Sequence, residues 1–285
     1  DHRFRSDTKS FDGTTEFRLA PSPLSGEDVL RQTEHLNVVF GKDPTGKKPT
    51  TKRKRGDPPI LWKKRSILFR LPYWKDVMLR HSFDVMHIEK NVCDNIINTL
   101  LGIDGKSKDN LNSRLDLQLL GIRKDLHPIK VGEKYFLPPA PYTMSPDEKK
   151  MFCEVLKGVK FPDGYASNIH NNVRVNEKKL VGLKSHDNHI LLQHLLPLAI
   201  RRILPERVCA TLIRVSNFFK QIYSPVIRIS HMQKLEAEIA ETLCILETIF
   251  LPSFFDIMVH LTVHLPAQVC LGGPVLYHNM YPVER

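Results

Sequence analysis

Three polar residues at the start of a predicted helix have types and a spacing that suit metal binding or acid–base chemistry. Asp84, His87 and Asn91 lie at positions i, i+3 and i+7, so a helix that begins near Asp84 carries all three on one face. A carboxylate can hold a divalent metal ion, and His87 and Asn91 could orient it or contact a phosphate. The alternative interpretation is structural: Asp84 caps the helix and His87 packs on its surface.

The elements around these residues are predicted from apolar spacing. A helix over about 84–101 would dock on a core through one stripe and end at Gly102; the stripe is Val85, Ile88, Val92 and Ile96. The preceding residues 66–71, SILFRL, are typical of a strand that ends at Pro72. We therefore expect the polar residues near a strand end, where α/β proteins commonly keep their chemistry.

The rest of the chain is predicted to be mainly helical. Ser25 and Ser145 each have the type and position of a helix N-cap. Further helices are expected at 111–120, 146–156, 189–203, 206–223, 231–250 and 253–264. The last four are separated by prolines and suggest an antiparallel bundle. A proline-rich connector at 137–146 predicts a domain boundary.

Composition limits the class of protein. The chain has 285 residues, 41% of them hydrophobic, and a net charge of +11, which favours a core-forming protein with a polyanionic partner such as nucleic acid. Its five cysteines form no C-x-x-C pair and predict reduced, mostly buried thiols. The longest apolar stretch, 242–261, contains Glu247, Pro252 and Asp256, so no membrane span is expected.

A basic run, Lys52, Arg53, Lys54 and Arg55, lies in a segment without apolar periodicity. Such a run could bind DNA phosphates or a nuclear import receptor, although a solvated linker is the plain alternative. Trp62 and Trp74 stand among basic residues and could stack on bases, or they could anchor the strand that they bracket.

Histidines are concentrated in the predicted bundle. His260 and His264 are spaced i, i+4 and could present two imidazoles to one zinc ion. Residues 185–189, SHDNH, form a second cluster, in which Asp187 has the position of an N-cap. The alternative for both groups is capping and hydrogen bonding within the core.

The chain resembles the transposases of plant CACTA-type (En/Spm) DNA transposons, followed by the domain of unknown function that usually accompanies them. The residues that carry the resemblance are HSFDVMHIEKNVCDNIINTLLGIDGKSKDNLNSRLDLQLLGIRKDLHP, LKSHDNHILLQHLLPLAIRRILPERV, LCILETIFLPSFFDIMVHLTVHL and GGPVLYHNMYPVER. These blocks cover nearly the whole chain in order.

The resemblance implies an RNase H-fold enzyme with three acidic residues and two divalent metal ions, such as Mg²⁺. Asp84 with His87 matches the second acidic position, and Glu284 in YPVER is the candidate for the third. Its rival, Glu247, falls inside an apolar helix and could instead be a buried structural acid. The first catalytic aspartate is expected upstream of Asp1. His278 and Asn279 stand where the family has Arg-Trp, which speaks against activity.

The predicted fold is α/β with a mainly α-helical portion: a fragment of an RNase H-like core that carries a helical bundle insertion. The predicted domains are a polar basic linker at 1–60, a partial RNase H-like core at 61–136, a connector with a short helix at 137–165, and a helical domain of unknown function at 166–285. The expected function is that of a transposase-derived nuclear protein, inactive alone, that binds DNA weakly and without sequence preference. The alternative is a non-catalytic DNA- or protein-binding module.

Overall fold

The structure, a computed structural model, describes residues 22–34, 36, 62, 64–162 and 169–277. The chain divides into two compact units, Asp1–Arg80 and His81–Arg285. The described residues are mainly helical, with a few short strands, so the helical part of the predicted fold is confirmed. The domain boundaries predicted at 60, 136 and 165 stay predictions.

The described residues of the first unit include one α-helix, α1 (Gly26–Thr33). Ser25 caps it as predicted, because its hydroxyl accepts from the Asp28 amide at 3.1 Å while Asp28 accepts from the Ser25 amide at 3.1 Å. Gly26 lies against the backbone of Lys75, whose carbonyl oxygen is only 2.0 Å from the place of an added Cβ atom. Only glycine permits this close approach.

The strand predicted at 66–71 is wrong. Residues Ile67–Arg70 form a 3₁₀ helix, which Ser66 begins by accepting a hydrogen bond from the Leu68 amide at 3.3 Å. A strand needs a neighbour to satisfy its backbone, and no described strand lies beside this segment. A second 3₁₀ turn, Trp74–Asp76, follows, and Trp62 donates to Gln32 at 2.9 Å. The tryptophans therefore do not bracket a strand, and base stacking by them stays a prediction.

The second unit begins with three helices and two hairpins. The helices are α2 (Val85–Leu101), α3 (Leu111–Leu120) and α4 (Pro146–Gly158). The hairpins are antiparallel, with β1 (Ile129–Val131) paired to β2 (Lys134–Phe136) and β3 (Val173–Arg174) paired to β4 (Lys179–Leu180). The described strands form no parallel sheet, so the RNase H-like part of the predicted fold is not shown.

The C-terminal half of this unit is helical throughout its described length. Its helices are α5 (Ser185–Ile190), α6 (Leu196–Ile200), α7 (Glu206–Ile222), α8 (Ile229–Ile249), α9 (Ile257–Leu261) and α10 (Leu265–Gly272). A π-helical segment, Leu191–Leu195, joins α5 to α6. The single helix predicted at 253–264 is wrong, because Asp256 starts a new helix there and a 3₁₀ turn at Thr262–His264 separates α9 from α10.

Helix α2 is the centre of the core. It packs against α5 and α9, and its apolar residues are almost wholly buried: Val85, Ile88, Val92, Cys93, Ile96 and Leu100. Its boundaries match the prediction, since Asp84 caps it and Gly102 ends it in the left-handed conformation at φ 62°. The core thus holds the first turn of α2 in a fixed orientation.

The five cysteines are free, and Cys93, Cys153 and Cys209 are buried while Cys244 is exposed. Burial raises the pKa of the Cys93 thiol well above its ordinary value. The prediction of mostly buried thiols outside disulfides is confirmed for Cys93, Cys153 and Cys209, whereas Cys244 departs from it because it is exposed. No helix in the described ranges is long and apolar enough to span a bilayer.

Candidate functional site

Asp84 and His87 meet at the first turn of α2. One Asp84 carboxylate oxygen, Oδ1, accepts from the His87 amide at 3.0 Å, and the other, Oδ2, pairs with His87 Nδ1. Both side chains are close to half exposed. Asn91 does not join them, because its amide donates to the His87 backbone carbonyl at 2.7 Å. The capping role of Asp84 is therefore confirmed, while its metal-binding role stays a prediction.

A glutamine from the C-terminal part of the chain holds the segment that leads into Asp84. Gln268 of α10 accepts from the Phe83 amide at 2.8 Å and donates to the Ser82 hydroxyl at 3.0 Å. The two bonded residues Phe83 and Gln268 are 185 positions apart in sequence, and Gln268 is buried. The start of α2 and the C-terminal helix are therefore parts of one packed region.

The described residues do not by themselves fit a two-metal site. No group of three or more His, Cys, Asp or Glu side chains that could hold a metal ion exists among them. Asp84 supplies one carboxylate, and both of its oxygens already contact His87. Its proposed partner Glu284 and the basic run Lys52, Arg53, Lys54 and Arg55 lie outside the described residues.

Glu247, the rival third acid, is exposed on α8. Its backbone carbonyl accepts from the Arg123 guanidinium, and Arg123 also donates to the Phe250 carbonyl at 2.8 Å. The interpretation of Glu247 as a buried structural acid is wrong, because the helix turns this position toward solvent.

Glu89 is a buried acid that the predicted apolar stripe of α2 did not single out. Its side chain is fully buried on α2, where Oε2 lies 2.8 Å from His189 Nδ1 and Oε1 accepts from Gln193 at 2.7 Å. Tyr223 packs edge-on against the His189 ring at 4.7 Å. A signal was present, because Glu89 is spaced i+4 from Val85 and therefore lies on an apolar face.

The SHDNH segment forms the first turn of α5 and hydrogen-bonds the residue before it. Asp187 is not the N-cap that was predicted; it lies in the first turn and accepts from the Lys184 amide at 2.8 Å. Asn188 donates to the Lys184 carbonyl at 3.1 Å. The interpretation of this segment as capping and core hydrogen bonding is confirmed, with His189 bonded to Glu89.

His260 and His264 face each other on the surface. Their Nε2 atoms are 3.3 Å apart, and their ring centroids are 5.1 Å apart. Both side chains are exposed. No third candidate ligand joins this pair among the described residues.

The C-terminal part of the chain matches a family model. Residues 222–285 are similar to the family described as "Domain of unknown function (DUF4218)". The matched segment includes α8, α9 and α10, and therefore Gln268 and the two surface histidines. No curated protein and no solved structure matches the chain. The match covers residues 222–285 of the domain of unknown function predicted at 166–285, and the start of that domain at 166 stays a prediction; the match does not extend to the residues around Asp84.

Proposed function

We propose that this chain is the C-terminal part of a CACTA-type transposase and acts as a transposase-derived nuclear protein. The observation that carries the proposal is the bond from Gln268 to the segment before Asp84. An ancestral site shared by Asp84 and Glu284 requires the last residues of the chain to lie near the start of α2. Gln268 of α10 already lies there, because it bonds the Phe83 amide. The family of residues 222–285 is often found in plant transposase-like proteins.

The proposed chemistry of the complete ancestor is metal-assisted phosphoryl transfer on DNA. Mg²⁺ held by carboxylates supplies the charge stabilisation for such a reaction. In this chain, Asp84 would contribute one carboxylate and His87 would orient it. Because His278 and Asn279 stand where the family that the chain resembles has Arg-Trp, we expect the chain alone to be inactive.

A nicking assay tests the predicted inactivity. Purified chain is incubated with supercoiled plasmid and Mg²⁺ or Mn²⁺, with Asp84→Asn as the matched control, since asparagine keeps the cap and removes the charge. We expect no nicking above background from either protein. Mn²⁺-dependent nicking by the natural sequence that Asp84→Asn abolishes would contradict inactivity.

Mn²⁺ also tests the ancestral site itself. A paramagnetic ion between Asp84 and Glu284 broadens the NMR signals of residues near both positions. Two carboxylates that share a metal pair bring their oxygens within roughly 8 Å. We expect Mn²⁺ to broaden the signals near both Asp84 and Glu284. Each of the variants Asp84→Asn and Glu284→Gln should weaken this broadening. Broadening at neither position, or at only one of them, would remove Glu284 from the site.

DNA binding is the second part of the proposal. The net charge of +11 and the run from Lys52 to Arg55 support weak binding to duplex DNA without sequence preference, and the same run would serve a nuclear import receptor. Neutralising these four residues should flatten the dependence of affinity on salt by up to about 3.6 in log–log slope.

A charge-matched control separates a local site from total charge. Lys106, Lys124, Lys130 and Lys134 are all exposed, and replacing them removes the same charge elsewhere. We expect this control to change the slope much less than the Lys52–Arg55 variant does. Equal slopes for the two variants would show that the basic run has no special role.

One observation favours the alternative of a non-catalytic DNA- or protein-binding module. Both Asp84 oxygens are occupied within its own helix start, which is what a purely structural cap requires. Retained DNA affinity together with no Mn²⁺ broadening near Asp84 would select this alternative.

A further inference from the structure

His260 and His264 are placed next to each other by the elements that carry them. Asp256 caps the helix that carries His260, since it accepts from the Met258 amide at 3.1 Å and the Val259 amide at 3.2 Å. His264 ends a 3₁₀ turn, and α10 follows directly. The capped turn and the helix that follows therefore set the backbone positions of both histidines.

The separation of their Nε2 atoms fits two ligands of one metal ion. Zinc binds histidine nitrogen at about 2.0–2.1 Å in tetrahedral geometry, which places two ligand nitrogens about 3.3–3.4 Å apart. The observed separation is 3.3 Å. An imidazole pair that shares one proton can have the same spacing, so metal binding must be measured directly.

The surroundings leave the metal position open to solvent. Both rings are exposed, and Asp256, one turn before His260, is turned away toward Asn95 at 2.8 Å and Lys108 at 2.9 Å. A cleft of about 440 Å³ borders His260 and is lined otherwise by Leu243, Phe255, Asp256 and Ile257. Two protein ligands with water in the remaining positions make an exchangeable site.

We propose that His260 and His264 form an open binding site for a divalent transition metal of the zinc class. Two imidazoles suit zinc, cobalt, nickel and copper better than they suit magnesium or calcium, which prefer oxygen ligands. This site shares no residue with the ancestral Asp84 and Glu284 pair, so its test is separate from the test of the proposed function.

Calorimetric titration of the full chain with ZnCl₂ tests the proposal, and Co²⁺ reports the geometry through its visible absorption. We expect one zinc ion per chain at this pair. His260→Ala and His264→Ala should each weaken that binding about tenfold or more, because each removes half of the protein ligands. His231→Ala is the matched control, since His231 is exposed on α8, and it should bind zinc like the natural sequence.

Imidazole nitrogen NMR gives a second readout in the natural sequence and needs no variant. Zinc should shift the Nε2 signals of His260 and His264 together. Unchanged zinc affinity in both variants, or no shift of these two signals when zinc is added, would overturn the site. Zinc binding that only His189→Ala or His194→Ala removes would overturn it as well, because the ion would then lie at another group.

Discussion

At the scale of single residues, Glu89 shows how an acidic side chain can belong to a core. A lone carboxylate inside a protein is costly, and it is tolerated here because His189 and Gln193 both reach it. These contacts tie α2 to the segment that begins with α5. Local spacing could identify Glu89 as a polar residue on an apolar face, but not its partners, which lie about a hundred positions later.

Replacing Glu89 by alanine should lower the free energy of unfolding by about 3–5 kcal/mol, because it leaves buried polar partners unpaired and opens a cavity. Glu89→Gln should lose less, since its amide oxygen can still accept from Gln193. Urea unfolding measures both changes. Glu154→Ala, at an exposed acid on α4, is the control and should stay within about 0.5 kcal/mol. Equal effects of Glu89→Ala and the control would contradict the network.

Asp84 is predicted to matter to the stability of α2 whether or not it binds metal. Asp84→Ala should cost about 1 kcal/mol in the free energy of unfolding, because the first turn loses its cap, and Asp84→Asn should cost less. Asp94→Ala in the middle of the same helix removes only a surface pair with Lys90 and serves as the control in the same urea experiment. If Asp84→Ala and Asp94→Ala were equally mild, the cap would be unimportant.

At the scale of elements, the sequence predicted helices well where caps mark their ends. Ser25, Asp84 and Ser145 each cap a helix, and Gly102 ends one, because these signals act within a few residues. The strand predicted at 66–71 is wrong because residues of high β propensity form a strand only beside a partner strand. The residues of this segment do not show which part of the chain packs beside it. The contact between Asp84 and His87 could be predicted as well, because the two residues are only three positions apart on one helix.

Asp256 joins three elements through one carboxylate. It caps α9, and its second oxygen accepts from Asn95 on α2 and from Lys108 in the following loop. Burial by itself would raise the pKa of Asp256, but the hydrogen bonds from Asn95, Lys108 and the α9 backbone outweigh it. The net pKa is lowered from its ordinary 3.8, so folding favours the charged form.

This lowered pKa predicts a pH-dependent contribution to stability. A carboxyl whose pKa is depressed in the folded state stabilises the protein above its unfolded pKa and loses that effect as pH falls through the folded value. The stability difference between the natural sequence and Asp256→Asn should therefore be constant above about pH 5 and shrink as pH falls from there through the lowered folded pKa. Urea unfolding at several pH values measures it. A difference that stays constant or grows on acidification would contradict the assignment.

At the scale of the whole second unit, α10 returns to the start of α2. Gln268 belongs to the segment that matches the family of unknown function, and its amide bonds the residues just before Asp84. Hydrophobic periodicity predicted helices in both regions without indicating that they meet. Such long-range pairing depends on how the whole core packs, and a single sequence does not display it.

The variant Gln268→Ala tests the contact between α10 and the segment before Asp84. Removing the amide leaves the Phe83 N–H without its acceptor, which costs about 1–3 kcal/mol for a buried group. Hydrogen exchange of the Phe83 amide should accelerate more than exchange in the middle of α2. Gln118→Ala, at an exposed glutamine on α3, should leave that amide unchanged. Slow exchange at Phe83 in both variants would show that Gln268 does not hold the segment.

The thiols of this protein differ in exposure, so their rates of chemical labelling can report both a surface position and opening of the core. Cys244 is accessible on α8, so a maleimide dye attaches there first, while Cys93 and Cys153 are sealed in the core. Their high pKa values keep them protonated, which slows alkylation further. A dye added to the native protein thus marks α8 first and the half-buried Cys270 of α10 next, and labelling that maps to Cys93 or Cys153 reports how often α2 or α4 leaves the core.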